Sequence, residues 1–299
     1  MRLSAFMLPP LNFYFAILPV LLVAGALLIA VEVLWSASRG ARIYSREQLI
    51  SDLSCAAVRL AAELCVNGGF ILLYRCIQVH YALPVLDAGS LCTWVISVVA
   101  FEWVFYWTHR WSHSIPVLWA VHAVHHESNN FNLGAGMRLG ALAPLLNYPF
   151  FLSLTLVGVP VEGFMLALYV SGCWQFMLHA NLPTVGIRLG WLLNLPHHHR
   201  VHHGTGKDTS TRNFAGVLVC LDRIFGTYQE ASDGSEACLP RFIVPCGPIK
   251  ANLDPWRRLT PLLRSHWQVA RLFLPARRLR SPEQGIGTAE EKIGTRLRM

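Results

Sequence analysis

Residues 89–113 read GSLCTWVISVVAFEWVFYWTHRWSH. Gly89 to Trp107 is apolar except for Glu102. Its length fits a bilayer crossing, which takes about 20 apolar residues. The run ends in His109 and His113, spaced i,i+4 and therefore on one helix face. A membrane helix that delivers paired imidazoles at its end raises two questions: how many such helices there are, and what the imidazoles bind.

Composition answers the first in outline. Of 299 residues, 54% are hydrophobic and 14% charged, with mean hydropathy +0.41. Soluble domains carry about 25% charged residues, so the chain falls in the membrane class. Asn12–Trp35 is the strongest span. It is too long for a signal-peptide core and no small-residue cleavage site ends it, so it reads as an anchor. Leu53–Tyr74 is a weaker span carrying Arg59 and Glu63, an i,i+4 pair that neutralises itself inside a bundle. Leu139–Pro160 and Val161–Leu178 form two further apolar stretches, split at Gly158-Val159-Pro160, that either cross or dip in. The fold expected is all-α: a polytopic membrane bundle of about four to five embedded helices under a cytoplasmic helical cap.

Charge sets the orientation. Arg39, Arg42 and Arg46 follow the first span and only Arg2 precedes it, so the N-terminus is expected outside. Counting crossings from there puts every histidine group on the cytoplasmic face. The net charge of +8 comes from the last third, with 17 of the Lys/Arg and 9 of the Asp/Glu from Arg188 onward. A basic tail beside an apolar body suits anionic lipid headgroups. Nothing reads as a groove-reading module, so no nucleic-acid partner is expected. In 254–274, Trp256, Leu259, Leu263, Trp267 and Ala270 share one helical face, as in an interfacial helix or one packed on the protein's own domain. The eight cysteines are scattered, with no C-x-x-C pair, and read as small apolar residues. Boundaries follow: membrane spans in 1–94, a catalytic region in 95–230, a basic tail in 231–280 and a disordered end in 281–299.

The histidines carry the function. Of 13, 11 lie between 109 and 203. HRWSH gives His109 and His113, and HAVHH gives His122, His125 and His126. QFMLH gives Gln175 and His179, and LPHHHRVHH gives His199, His202 and His203 after His197 and His198. Residues three and four apart share a helix face, so each group can aim at one point. A single zinc takes four ligands, and nine imidazoles suit two metal ions. Imidazole suits zinc, copper, iron and nickel, and the spacing does not choose among them. His198, Gln175, Asp208, Asn213 and Asp222 are candidates for a ligand or for a hydrogen-bond partner that orients one. Glu102, Asn132 and Arg138 are candidates for the substrate wall. The competing reading is a histidine-rich membrane metal transporter or metal-binding protein.

The succession H-x-x-x-H, H-x-x-H-H, H-x-x-H-H, closed by NFAGVLVCLDRIFGTY at 213–228, resembles the fatty acid hydroxylase / sterol desaturase superfamily of membrane di-iron oxygenases. The likeness covers roughly residues 95 to 230. LPHHHRVHHG, NFAGVL and WQFMLH look closest to its alkylglycerol monooxygenase branch and bacterial relatives. That branch carries a Glu three positions after the second motif's last histidine, where this chain has Asn129, with a Glu at 127 instead. The resemblance implies two iron ions that activate dioxygen to hydroxylate or desaturate a lipid. It also implies two electrons from a separate partner, a reductase, a ferredoxin or a cytochrome b5-like protein. The branch would add a reduced pterin.

Overall fold

The computed structural model describes residues 3–41, 43–81, 84–181, 189–204, 211–230 and 247–263, with side chains from 16 to 259. Asp208 and the expected tail features in 231–246 and 264–299 lie outside the described residues. Among those described, every regular element is helical.

Among the described residues, three helices are long and apolar enough to cross a membrane. α1 runs Leu3–Ser38, α2 Arg46–His80 and α3 Leu91–Ser112. The apolar windows have mean hydropathies of 2.7, 1.6 and 1.4. α2 begins at Ser45, whose hydroxyl accepts from the Gln48 amide and caps the first turn. At 35 residues and 1.5 Å of rise per residue, α2 is about 50 Å long and outreaches a hydrocarbon core of about 30 Å. Its N-terminal turns, with Gln48, Ser51 and Asp52 buried, therefore serve as scaffold beyond the span.

The second apolar pair is shorter. α6 (Ala143–Phe151) passes into a 3₁₀ turn at Leu152–Val157, and α7 runs Val161–Met177. The break falls at Gly158 to Pro160. Gly158 takes φ +76°, and a Cβ there would sit 2.3 Å from the Pro84 carbonyl oxygen. Only glycine fits. α3 packs along α7, and the aromatic core between the spans gathers Phe70, Tyr74, Phe101, Tyr148, Phe151 and Phe164.

The remaining helices form the cap: α4 (Pro116–His126), α5 (Leu133–Met137), α8 (Pro196–His202), α9 (Cys220–Ile224) and α10 (Pro248–Leu263). α10 bears on the interfacial-helix expectation. Ala251, Pro255 and Leu259, four apart, are buried, with Ala251 against Val124 and Cys55. Arg258 donates to Glu127 at the end of α4. Over its described length α10 thus packs on the protein's own cap, and Leu259 faces protein rather than lipid.

Candidate metal centre

The structure gathers all nine motif histidines into two adjoining sets. His109, His113, His122, His126 and His202 make one; His125, His179, His199 and His203 make the other. Within each set the nearest ring nitrogens lie within 4.8 Å of one another. Eight of the nine are buried outright and His122 nearly so. Helix geometry explains the division. At about 100° per residue, i+4 stands about 40° to one side of i and i+3 about 60° to the other, so i+3 and i+4 diverge by about 100°. In each H-x-x-H-H the outer pair, His122/His126 or His199/His203, serves one set. The middle histidine, His125 or His202, serves the other.

The rings sort by distance into a coordination pattern. In the five-histidine set, His109, His122, His126 and His202 form a square. Successive ring centroids lie 4.6–4.9 Å apart. His122 and His202, across the square, are 6.4 Å apart. His113 sits over it, 4.7–5.2 Å from all four. That is five corners of an octahedron, open opposite His113. In the four-histidine set five of the six pairs lie at 4.6–5.0 Å, and His125 and His199 stand apart at 6.3 Å. Four nitrogens on a tetrahedron would be equidistant. One wide pair among six marks four corners of an octahedron with two neighbouring corners free.

Hydrogen bonding shows that a cation fits. His109, His125, His179 and His202 direct Nδ1 at the backbone carbonyls of Phe214, Arg138, Gln175 and Arg212, at 2.6–2.9 Å. Each Nδ1 then carries the proton and each Nε2 a lone pair. The Nε2 atoms of His179 and His125 nevertheless lie 3.2 Å apart. Two lone pairs at that distance repel unless a positive charge sits between them, and about 3 Å is the spacing of neighbouring ligands on bonds of about 2.1 Å. His202 Nε2 and both nitrogens of His113 are buried with no partner. Burial pushes His125 down to about 4, and the same cause holds His113, His122, His126, His179, His199, His202 and His203 well below the usual imidazole value. They are neutral near pH 7, as ligands must be.

Supports lie behind the imidazoles, and several differ from expectation. His198 is buried but points away from both sets. Its Nδ1 accepts from the Leu195 amide and its Nε2 meets the Tyr228 hydroxyl. Gln175 orients His179 through its backbone carbonyl, while its amide donates to Ser171. Asp222 touches no imidazole. It accepts from the Phe214 and Ala215 amides and the Thr227 hydroxyl, so it fixes the carbonyl that holds His109. Asn213, at φ +53°, ties His198 to Gln229.

The three residues expected on the substrate wall are each buried and hydrogen-bonded to other elements. Glu102 accepts from Ser171 and the Val217 amide, joining α3, α7 and the 213–219 loop. A Cβ at Gly216 would lie 2.8 Å from its carboxylate, which is why glycine sits there. Asn132 caps α5 through Oδ1 and donates to the Ile43 carbonyl. Arg138, 1% exposed, bonds the Val124 carbonyl, Ser51 and Asp52. Glu32, unremarked in the sequence, is fully buried. It accepts from Tyr44 and from the amides of Leu133 and Asn181, two residues beyond His179. A lone carboxylate in the most apolar span was the signal.

A cavity of about 240 Å³ reaches the centre, lined by His109, His122, His125, His179 and His199. Its other walls include Phe101, Phe105, Leu168 and Phe176.

Residues 94–227 match the fatty acid hydroxylase family model. These residues form a domain of the fatty acid hydroxylase superfamily. Within it, the alkylglycerol monooxygenase of Danio rerio is 30% identical over 209 residues, 70% of this chain and 46% of the relative. The Homo sapiens alkylglycerol monooxygenase is 32% identical over 179 residues, 60% and 40% of the two chains. The ornithine lipid hydroxylase of Rhizobium tropici is 26% identical over 138 residues, 45% and 41%. The chain thus spans less than half the length of these relatives. No solved structure matches it significantly. The matched region holds all nine clustered histidines.

Proposed function

We propose that the protein is an integral-membrane di-iron oxygenase that uses dioxygen and two electrons to hydroxylate or desaturate a C–H bond of a lipid. The observation that carries this is the gathering of nine imidazoles into two sets with free corners, with lone-pair nitrogens of His125 and His179 facing each other in the four-histidine set. His109, His113, His122, His126 and His202 would hold one metal, and His125, His179, His199 and His203 the other. Octahedral spacing and an all-imidazole donor set favour iron over tetrahedral zinc. Bound iron would supply the activation of dioxygen needed to attack an unreactive C–H bond. The chain's own part is to keep the imidazoles neutral, aim them through four carbonyls, and exclude water with Phe101, Phe105 and Phe176 around the cavity.

Electrons would come from a separate reductase, ferredoxin or cytochrome b5-like protein. A reduced pterin is the alternative, supported by the likeness to alkylglycerol monooxygenases alone. In this chain Glu127 is engaged by Arg258 and Asn129 by Gln48. The arginines after α1 support a centre on the cytoplasmic side. A transport reading would need histidines strung along a path, whereas these converge on one enclosed centre.

The test is turnover in nanodiscs under ¹⁸O₂ with a reductant and an extracted lipid pool. Product carrying one ¹⁸O, or a new double bond, is expected, and its loss on His109→Ala or His179→Ala together with bound metal. A chain that binds two metals yet oxidises no lipid under any reductant contradicts the proposal.

A further inference from the structure

The cavity has a second polar end that the metal centre does not use. Arg59, Glu63, Asn147 and Tyr148 line the same space as the imidazoles, with Phe101, Phe151 and Leu168 among the apolar walls. Arg59 and Glu63 stand on α2 and Asn147 and Tyr148 on α6. Arg59 donates to Glu63 at 2.7 Å and to the Gly140 carbonyl at 3.1 Å. Tyr148 directs its hydroxyl at the same carboxylate. Two polar atoms are left over: Asn147 Oδ1, an acceptor, and Arg59 Nε, a donor, both buried and without a partner. Such atoms cost about 1–3 kcal/mol each when unmet, and a ligand that meets both recovers it.

The charges say which ligand. Arg59 is already matched by Glu63, so this end of the cavity offers no surplus positive charge. A carboxylate or phosphate would lose its hydration in a low-dielectric wall whose one cation is already neutralised. A neutral group that both donates and accepts is satisfied by the Asn147 acceptor and the Arg59 donor at once.

We infer that Asn147 and Arg59, with Glu63 cancelling the arginine's charge, select a lipid whose polar end is a neutral hydroxyl or amide and reject free fatty acids and phosphate-ended lipids. This rests on the reading of the histidine centre as a lipid-oxidising site. Gripping the polar end also fixes which carbon along the chain meets the metals, so these are specificity-determining residues rather than catalytic ones.

The experiment is displacement of a bound fluorescent polyene alcohol from the full chain in detergent micelles. The competitors are octadecane-1,2-diol, octadecanoate and octadecane, with metal content measured in parallel. The diol is expected to compete at concentrations about tenfold lower than either other compound, the worth of one or two buried hydrogen bonds. Asn147→Leu should erase that advantage with both metals retained. Glu63→Gln, which frees the Arg59 charge, should move octadecanoate ahead of the diol. Octadecanoate competing as well as the diol in the native protein overturns the inference. So does an Asn147→Leu variant that keeps the preference. Either result leaves the lipid-oxidising reading standing, whereas failure of every competitor to displace the probe removes both.

Discussion

At the scale of the residue, the nine imidazoles were legible because helix spacing is local, and spacing alone puts i, i+3 and i+4 on one side. What aims them was not. Four ring N–H groups are held by the carbonyls of Phe214, Arg138, Gln175 and Arg212, and any residue type can present a carbonyl. Asp222, expected as a ligand or an imidazole's partner, touches no imidazole and sits one step further back, on the backbone that positions His109. Asp222→Ala leaves the Phe214 and Ala215 amides and the Thr227 hydroxyl buried without that acceptor. It should cost about 3 kcal/mol or more of stability and weaken metal at the five-histidine set by about 10- to 100-fold, as loss of such supports does. Thermal melts and titration against a competing chelator read the two effects. Unchanged affinity at both sets would mean the Phe214 carbonyl does not need the carboxylate.

At the scale of the element, three spans were read where three long helices stand, because long apolar runs are the strongest pattern a sequence offers, although the helices extend several residues beyond the runs. The cap was not legible in the same way. α5 and α9 are five residues each, and they are fixed by tertiary contacts rather than by period. The case for α10 shows the limit. Its apolar face was visible, but whether lipid or protein covers it depends on Cys55 and Val124, far away in sequence. Glu32 ties elements together in the same long-range way, joining α1 to the start of α5 and to the residue that follows Ala180. Glu32→Leu strands three donors at once and should destabilise the protein by about 3–5 kcal/mol. Glu32→Gln, which keeps two acceptor lone pairs, should lose less. The two melting temperatures in one detergent decide it, and equal values would show that α1 is held by packing alone.

At the scale of the whole molecule, the apolar spans and the metal-binding cap are one object. α2 and α3 are too long or too histidine-laden to belong to either alone, and both line the cavity, so under the proposed function a lipid would approach the centre from among the spans. The expected topology follows from arginine placement. A cysteine introduced at Gly40, between α1 and α2, should resist a membrane-impermeant maleimide in intact cells and react once the cells are opened. Labelling in intact cells would invert the orientation and place the centre outside.

The central claim is that nine histidines would hold two metal ions, five on one and four on the other, in sets that leave one and two corners of an octahedron free. Metal analysis with Mössbauer spectroscopy of protein grown on iron-57 tests it most directly. The account predicts two irons per chain, magnetically coupled when oxidised, falling toward one when His113 alone is replaced by alanine. One metal per chain, or zinc alone after anaerobic loading with iron, would contradict it.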